Sequence, residues 1–350
     1  MKKYTAMITA FLIALIVILT GCINAASHQS AETEEEPEQT VEELPLQFPL
    51  MLKVGYSTNT DDPRGVAFAD MKEEVEKKTN GNIILEIHPN GELGSDSELI
   101  AGLISGNVDM TVSSAGNYAQ YATRIGVSSL PFLFADFDSA WRFIDSEKIQ
   151  AINGDLEEYN IHVLAYFDNG FRCVTTSEAA GAVTTTDDMI GLNIRTPENQ
   201  IVMETMSELG ANPKGFPFAN LKAALSDGTF DAQENPIPVI YNNKLYEVQK
   251  YLSVTNHSYD AMPLTIRSDI WNKLPEDYKT VINEAAKKAE TENRQLVKKQ
   301  TEDYVALLEQ AGMQVTYPDL EAFRKKTTGV KNVFSGLYGK ELLDYLDEFE

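Results

Sequence analysis

Two cysteines and four histidines in 350 residues leave little for covalent cross-linking or metal chemistry. Cys22 sits at the end of an N-terminal apolar run, so Cys173 is the one thiol left for the folded part. No intramolecular disulfide can form there, and stability must come from a packed core. Roughly 300 residues remain for it, enough for two domains. His28 lies in an acidic stretch, and His88, His162 and His257 are far apart without metal-ligand spacing. The patterns H-E-x-x-H, G-x-S-x-G and the phosphate-binding glycine loop are all missing. No general base or nucleophile stands in a recognisable constellation. The chain therefore reads as a protein without metal or cofactor and not as an enzyme. Basic residues are also short, 29 against 53 acidic ones, for a net charge of −24. That balance argues against a nucleic-acid partner. It leaves room for a small anion, because exposed charges beyond about 8 Å are screened at physiological salt.

What is present begins at the N-terminus. Lys2 and Lys3 precede an apolar run, Ala6 to Leu19, interrupted only by Thr9. A bilayer span takes about 20 residues, so the run suits a signal peptide better than a membrane helix. No second run is long enough to cross a membrane. The run ends in Leu19-Thr20-Gly21-Cys22, which resembles the lipobox of bacterial lipoproteins. The resemblance implies removal of residues 1–21, acylation of Cys22, and a chain lipid-anchored on the extracytoplasmic face of the cell membrane. From Ile23 to Phe48 there are seven glutamates, two prolines and no Lys or Arg. Residues 22–48 read as a solvated acidic tether.

Beyond the tether, strand and helix patterns alternate, which predicts an α/β class. Leu50 to Tyr56 reads as a strand, Gly65 to Lys78 as an amphipathic helix, and Ile83 to Ile87 as a strand. Ser95 and Glu98 form a capping box that opens a helix ended by Gly106. The unit Leu99-x-Ala101-x-Leu103-x-x-Gly106-x-Val108-Asp109 recurs 122 residues later as Leu221-x-Ala223-x-Leu225-x-x-Gly228-x-Phe230-Asp231. Helix-glycine-strand junctions are common, so chance is one explanation. The other is two similar lobes whose C-terminal strand ends face each other across a cleft, with Ser113 and Ser114 on one lip and Asn235 on the other. Pro275 to Gly312 reads as one helix of about 50 Å, longer than a small domain. Leu320 to Glu350 is a further amphipathic helical tail.

Arginine is scarce, eight residues against 21 lysines. Arg172 falls in the apolar stretch Phe171 to Val174, where Cys173 reads as a small core residue. Arg195 falls in Leu192 to Thr196, where period two puts Leu192 and Ile194 on one face and Asn193 and Arg195 on the other. A guanidinium fork suits two-point recognition of a carboxylate. A surface arginine on a solvated sheet face fits the same pattern. Asp61-Asp62-Pro63 reads as turn chemistry more readily than as a cation site.

Around these arginines the sequence resembles a known family. Gly170-Phe171-Arg172 and Gly191-Leu192-Asn193-Ile194-Arg195-Thr196-Pro197 are similar to the central motifs of the substrate-binding proteins of TRAP (tripartite ATP-independent periplasmic) transporters. Leu209 to Pro213, Asp231 to Pro236, Tyr246 to Leu252 and Thr255-Asn256-His257 follow at the family's spacing. Upstream, Gly91 to Gly94 and Leu130 to Phe134 also match, so the resemblance runs from about Lys53 to Gly312. It implies a two-lobed clamshell with a long helix spanning both lobes: 49–169 plus 261–300 as lobe I, and 170–260 plus 301–350 as lobe II. It implies an organic-acid ligand whose carboxylate pairs with Arg195, with polar contacts from Arg172 and Asn235. Phe218 would pack on the ligand, and Ser57 and Ser114 would reach it from the first lobe. Arg64 would meet a second carboxylate or lie on the surface. Tyr118 and Tyr259 are weaker candidates. Family members that bind sialic acid carry an acidic residue where Ser114 stands and a basic one where Asn117 stands, which favours the dicarboxylate-like branch. Asn220-Leu221-Lys222 departs from the usual acidic-aliphatic-tyrosine triplet, so no contact is carried over there. The implied partners are a small organic acid and the membrane permease of a TRAP system. An ATP-driven importer or a sensor kinase would use the same clamshell.

Overall fold

The computed structural model describes residues 45–349, so Cys22, the apolar run and most of the tether lie outside the described residues. Nine strands among them form one sheet: β1 (Leu50–Gly55), β2 (Ile83–His88), β3 (Met110–Val112), β4 (Ile161–Thr176), β5 (Asn193–Thr196), β6 (Asn212–Gly215), β7 (Ala232–Pro236), β8 (Tyr251–Arg267) and β9 (Gln314–Thr316). The order is β2-β1-β3-β8-β4-β7-β5-β6, with β9 added beside β8. It explains the internal repeat. β2, β1 and β3 run parallel on one side of the sheet, and β6, β5 and β7 do the same on the other. Each repeat unit is the helix and strand nearest the centre of its half.

The repeated residues do the same work twice. Helix Asp96–Ser105 stops at Gly106 with φ of 82°, and the turn after helix Leu221–Ser226 has Gly228 at 78°. Both glycines hold left-handed backbone, where a Cβ is strained. The following aspartates then tie down the neighbouring parallel strand. Asp109 Oδ2 accepts from Lys53 N on β1 at 2.9 Å, and Asp231 Oδ2 accepts from Asn193 N on β5 at 3.0 Å.

Between the halves run the two long strands, 16 and 17 residues, paired antiparallel. The C-terminal end of β8 pairs with β3, and that of β4 pairs with β7. The two halves are thus joined by continuous strands. Each half has its own apolar core. Leu52, Val54, Phe68 and Met110 build one. Ile194, Met206 and Ala232, with Leu225 and Leu252 nearby, build the other. The helix Glu276–Gln310 crosses both: Ile282, Ala285 and Ala289 pack in the first core and Leu308 in the second. This is the two-lobed α/β clamshell with a spanning helix. Among the described residues no helix is long and apolar enough to cross a membrane.

The C-terminal segment reaches two cores. Phe323 packs with Met206 and Leu209. Val330, Tyr338, Leu342 and Leu346 join the cluster of Leu99, Ile100 and Phe143. The cause is aromatic surface: Tyr345 stacks on Phe143 at 5.8 Å and Phe349 meets it edge-on at 5.1 Å. Two residues at the end of the tether also pack on the first half. Leu46 packs on the first core and Phe48 sits edge-on to Tyr278 at 5.2 Å.

Candidate ligand-binding cleft

The cleft is built from loops and strand ends that the repeat brings opposite one another. Asp62 caps helix Pro63–Lys78, its side chain accepting from Arg64 N, with Pro63 in the first turn where its missing N–H costs nothing. The expected turn chemistry at Asp61-Asp62-Pro63 is therefore what forms. It holds Arg64 inward, 4 % exposed, which excludes the surface alternative for that arginine. Arg64 Nε donates to Asp62 Oδ1 at 2.7 Å and Nη2 to Asn169 Oδ1 at 2.7 Å. The capping box at Ser95 and Glu98 forms as read, and it presents Asp96 at the first turn of its helix. Asp96 is half-buried and accepts from Ser57 Oγ at 3.2 Å. Loss of water pushes its carboxyl above the usual range, although Arg64 and Arg195 pull the other way.

From the second half, β5 supplies Arg195, 2 % exposed. Its Nε and Nη2 both donate to Phe216 O, at 2.8 and 2.6 Å, and the guanidinium lies 5.7 Å from the Phe218 ring centre. Burial draws it down to about 10, so it is still charged at neutral pH. Arg172 on β4 is held differently. It donates to Glu234 Oε2 at 2.5 Å and Oε1 at 2.8 Å, and to Asp260 Oδ2 at 2.5 Å. Glu234 in turn meets His257 Nε2 at 3.2 Å. Burial would raise Glu234, but Arg172 and His257 carry the net shift downward.

All seven residues named from the sequence line one small cavity of about 30 Å³: Ser57, Arg64 and Ser114 from the first half, Arg172, Arg195, Phe218 and Asn235 from the second. Ser114 Oγ donates to Asp260 Oδ1 at 2.6 Å. Ser113, the other expected lip residue, is buried and does not line the cavity. The two halves also touch directly beside the cavity. Asn59 Nδ2 donates to Asn242 O at 2.9 Å and to Asn243 Oδ1 at 3.1 Å. A methyl group at Gly116 would fall 1.8 Å from Asn199 Nδ2, so only glycine allows that approach. A larger groove of about 620 Å³ runs past Gly116 and Phe334, but Glu198 is its one charged wall residue, which suits no anion.

The model of the bacterial extracellular solute-binding proteins, family 7, matches residues 54–335. The chain belongs to this family, the solute-binding proteins of TRAP transporters. It is 31 % identical over 303 residues to the 2,3-diketo-L-gulonate-binding periplasmic protein YiaO of Escherichia coli K12, covering 85 % of this chain and 92 % of that one. It is 27 % identical over 300 residues to the C4-dicarboxylate-binding periplasmic protein DctP of Rhodobacter capsulatus, covering 84 % and 89 %. A TRAP periplasmic solute-binding protein of Polaromonas sp. JS666, solved with bound D-erythronate, superposes with a TM-score of 0.82 at 32 % identity, covering 86 % of this chain and 99 % of that one.

In this solute-binding protein the two weaker candidates are core residues, and so is Cys173. Tyr118 is fully buried with its hydroxyl on Thr265 Oγ1, and Tyr259 packs among Phe134 and Phe171. Cys173 is a buried free thiol, its pKa pushed up to about 12 by burial. Lys222, in the triplet that departs from the family, pairs on the surface with Glu247. Sequence reasoning missed Thr58, Asp96, Asn169, Asp260 and Met262 on the cavity wall. Asp96 had a signal: the capping box fixes where its helix starts, and a first-turn acid there faces the cleft.

Proposed function

We propose that this protein is an extracytoplasmic receptor that takes up a small organic acid between its lobes and delivers it to a TRAP permease. The observation that carries this reading is Arg195. It is a buried guanidinium on a cavity wall with no ion pair among the described residues, its bonds spent on one backbone carbonyl. A carboxylate placed there gains two-point, charge-assisted hydrogen bonds. Phe218 lies against the same guanidinium, and Asn235 and Ser114 line the same cavity. The relatives' names and the D-erythronate of the Polaromonas structure support an organic acid.

Closure follows from energetics. One charge-assisted hydrogen bond contributes about 1.5–3 kcal/mol, whereas a micromolar ligand needs about 8 kcal/mol. Contacts from both lobes must act together, and a hinge in β4 and β8 lets them do so. The ligand is bound and released unchanged. Cys22 carries a lipid that keeps the receptor at the membrane, on a tether reaching on the order of 25 Å. The lobes divide near residues 169 and 261, within the two long strands.

Native mass spectrometry of the purified protein tests this. The expected result is a co-purified organic acid released intact on denaturation. A neutral ligand, or an added acid converted to a product, would overturn it.

A further inference from the structure

The cavity holds three arginines, and two of them are already neutralised. Arg64 is paired with Asp62 and bonded to Asn169. Arg172 is paired with both Glu234 and Asp260. Arg195 alone has no acidic partner among the described residues. The site therefore has one guanidinium with no ion pair among the described residues, enough for one carboxylate.

The rest of the wall asks for donors. Asp260 already accepts from Ser114, Asn169 and Arg172. Among the described residues Asp96 accepts a side-chain bond from Ser57 alone, and it opens onto the cavity. A ligand hydroxyl donating to Asp96 favours its charged form, which accepts hydrogen bonds and donates none, against the pull of burial toward the neutral carboxyl. Such a hydroxyl satisfies Asp96, whereas a second ligand carboxylate would repel it, and the other guanidinium that acts on Asp96, Arg64, is already paired with Asp62. Thr58 Oγ1, 2 % exposed on the same wall, has no partner among the described residues and is a further polar contact for a hydroxyl.

Resting on the organic-acid reading above, we infer that the ligand is a hydroxylated monocarboxylate. Its carboxylate sits on Arg195, and one of its hydroxyls donates to Asp96. Asp96 selects the ligand twice, by accepting from the hydroxyl and by excluding a dicarboxylate of the same length.

The test compares acids that differ only at the terminal carbon: threonate with tartrate, and gluconate with glucarate. Calorimetry on the full mature chain should give at least about 100-fold tighter binding of the better aldonate than of its dicarboxylate partner. In Asp96→Asn, which keeps an acceptor for Ser57 and the same volume, that ratio should fall at least tenfold at unchanged thermal stability. Equal or tighter binding of the dicarboxylate by the wild type would overturn the inference and leave the organic-acid receptor standing. So would an unchanged ratio in Asp96→Asn. Failure of every acid to bind would bring down the receptor reading itself, and the inference with it.

Discussion

Replacing Arg195 by alanine is expected to weaken binding of the cognate acid about 10²–10³-fold while the protein stays folded. Truncating one partner of a desolvated, hydrogen-bonded charge pair costs about 2–5 kcal/mol, and each 1.4 kcal/mol is a factor of ten. No other guanidinium can step in. Arg64 would have to leave Asp62, and Arg172 would have to leave Glu234 and Asp260. The fold survives because, among the described residues, Arg195 bonds only to Phe216 O, so its removal strands no buried carboxylate. Arg195→Lys keeps the charge and loses the fork, and should bind about tenfold more weakly than wild type. Calorimetry measures both, with the melting temperature as control. An alanine variant within threefold of wild type would remove Arg195 from the ligand site.

Arg172 predicts the opposite division of effects. Arg172→Met should lower stability by about 3–5 kcal/mol, because it leaves Glu234 and Asp260 buried without their cation. For a domain this large that is a fall in melting temperature of about 6–12 °C. His257 touches Glu234 but is itself pushed toward the neutral form, by burial first, so it is a poor substitute. Adding Glu234→Gln removes one stranded charge and should recover part of the loss, at least about 1 kcal/mol. A melting temperature within 2 °C of wild type would show that the cluster contributes little.

The contrast between the two arginines marks how far the sequence could be read. Both sat in apolar strand segments, and both were placed at the ligand by resemblance. Their pairing was invisible, because Glu234 and Asp260 lie 62 and 88 residues away from Arg172 in the chain. Local features were legible. The Ser95 capping box, the glycine stops at 106 and 228, and the long helix all depend on neighbours within a few residues. The repeat was legible for the same reason, and it carried the symmetry of the sheet. The two long strands were not. β4 and β8 are buried along nearly their whole length, and their pairing shifts register three times, so no alternation marks them. Asp260 and Met262, both on β8, were missed with them. The packing of the tail was hidden for another reason. Its aromatic partners, Phe134 and Phe143, lie some 200 residues upstream.

The central claim is that binding depends on the charge of one ligand carboxylate held by Arg195. Its most direct test is a calorimetric comparison, on the wild-type protein, of the cognate acid with the carboxamide of the same acid. The amide keeps the size and every hydroxyl but removes the charge and one of the two acceptor oxygens that face the fork. The expected result is at least a 100-fold loss of affinity. Equal binding of acid and amide would contradict the account.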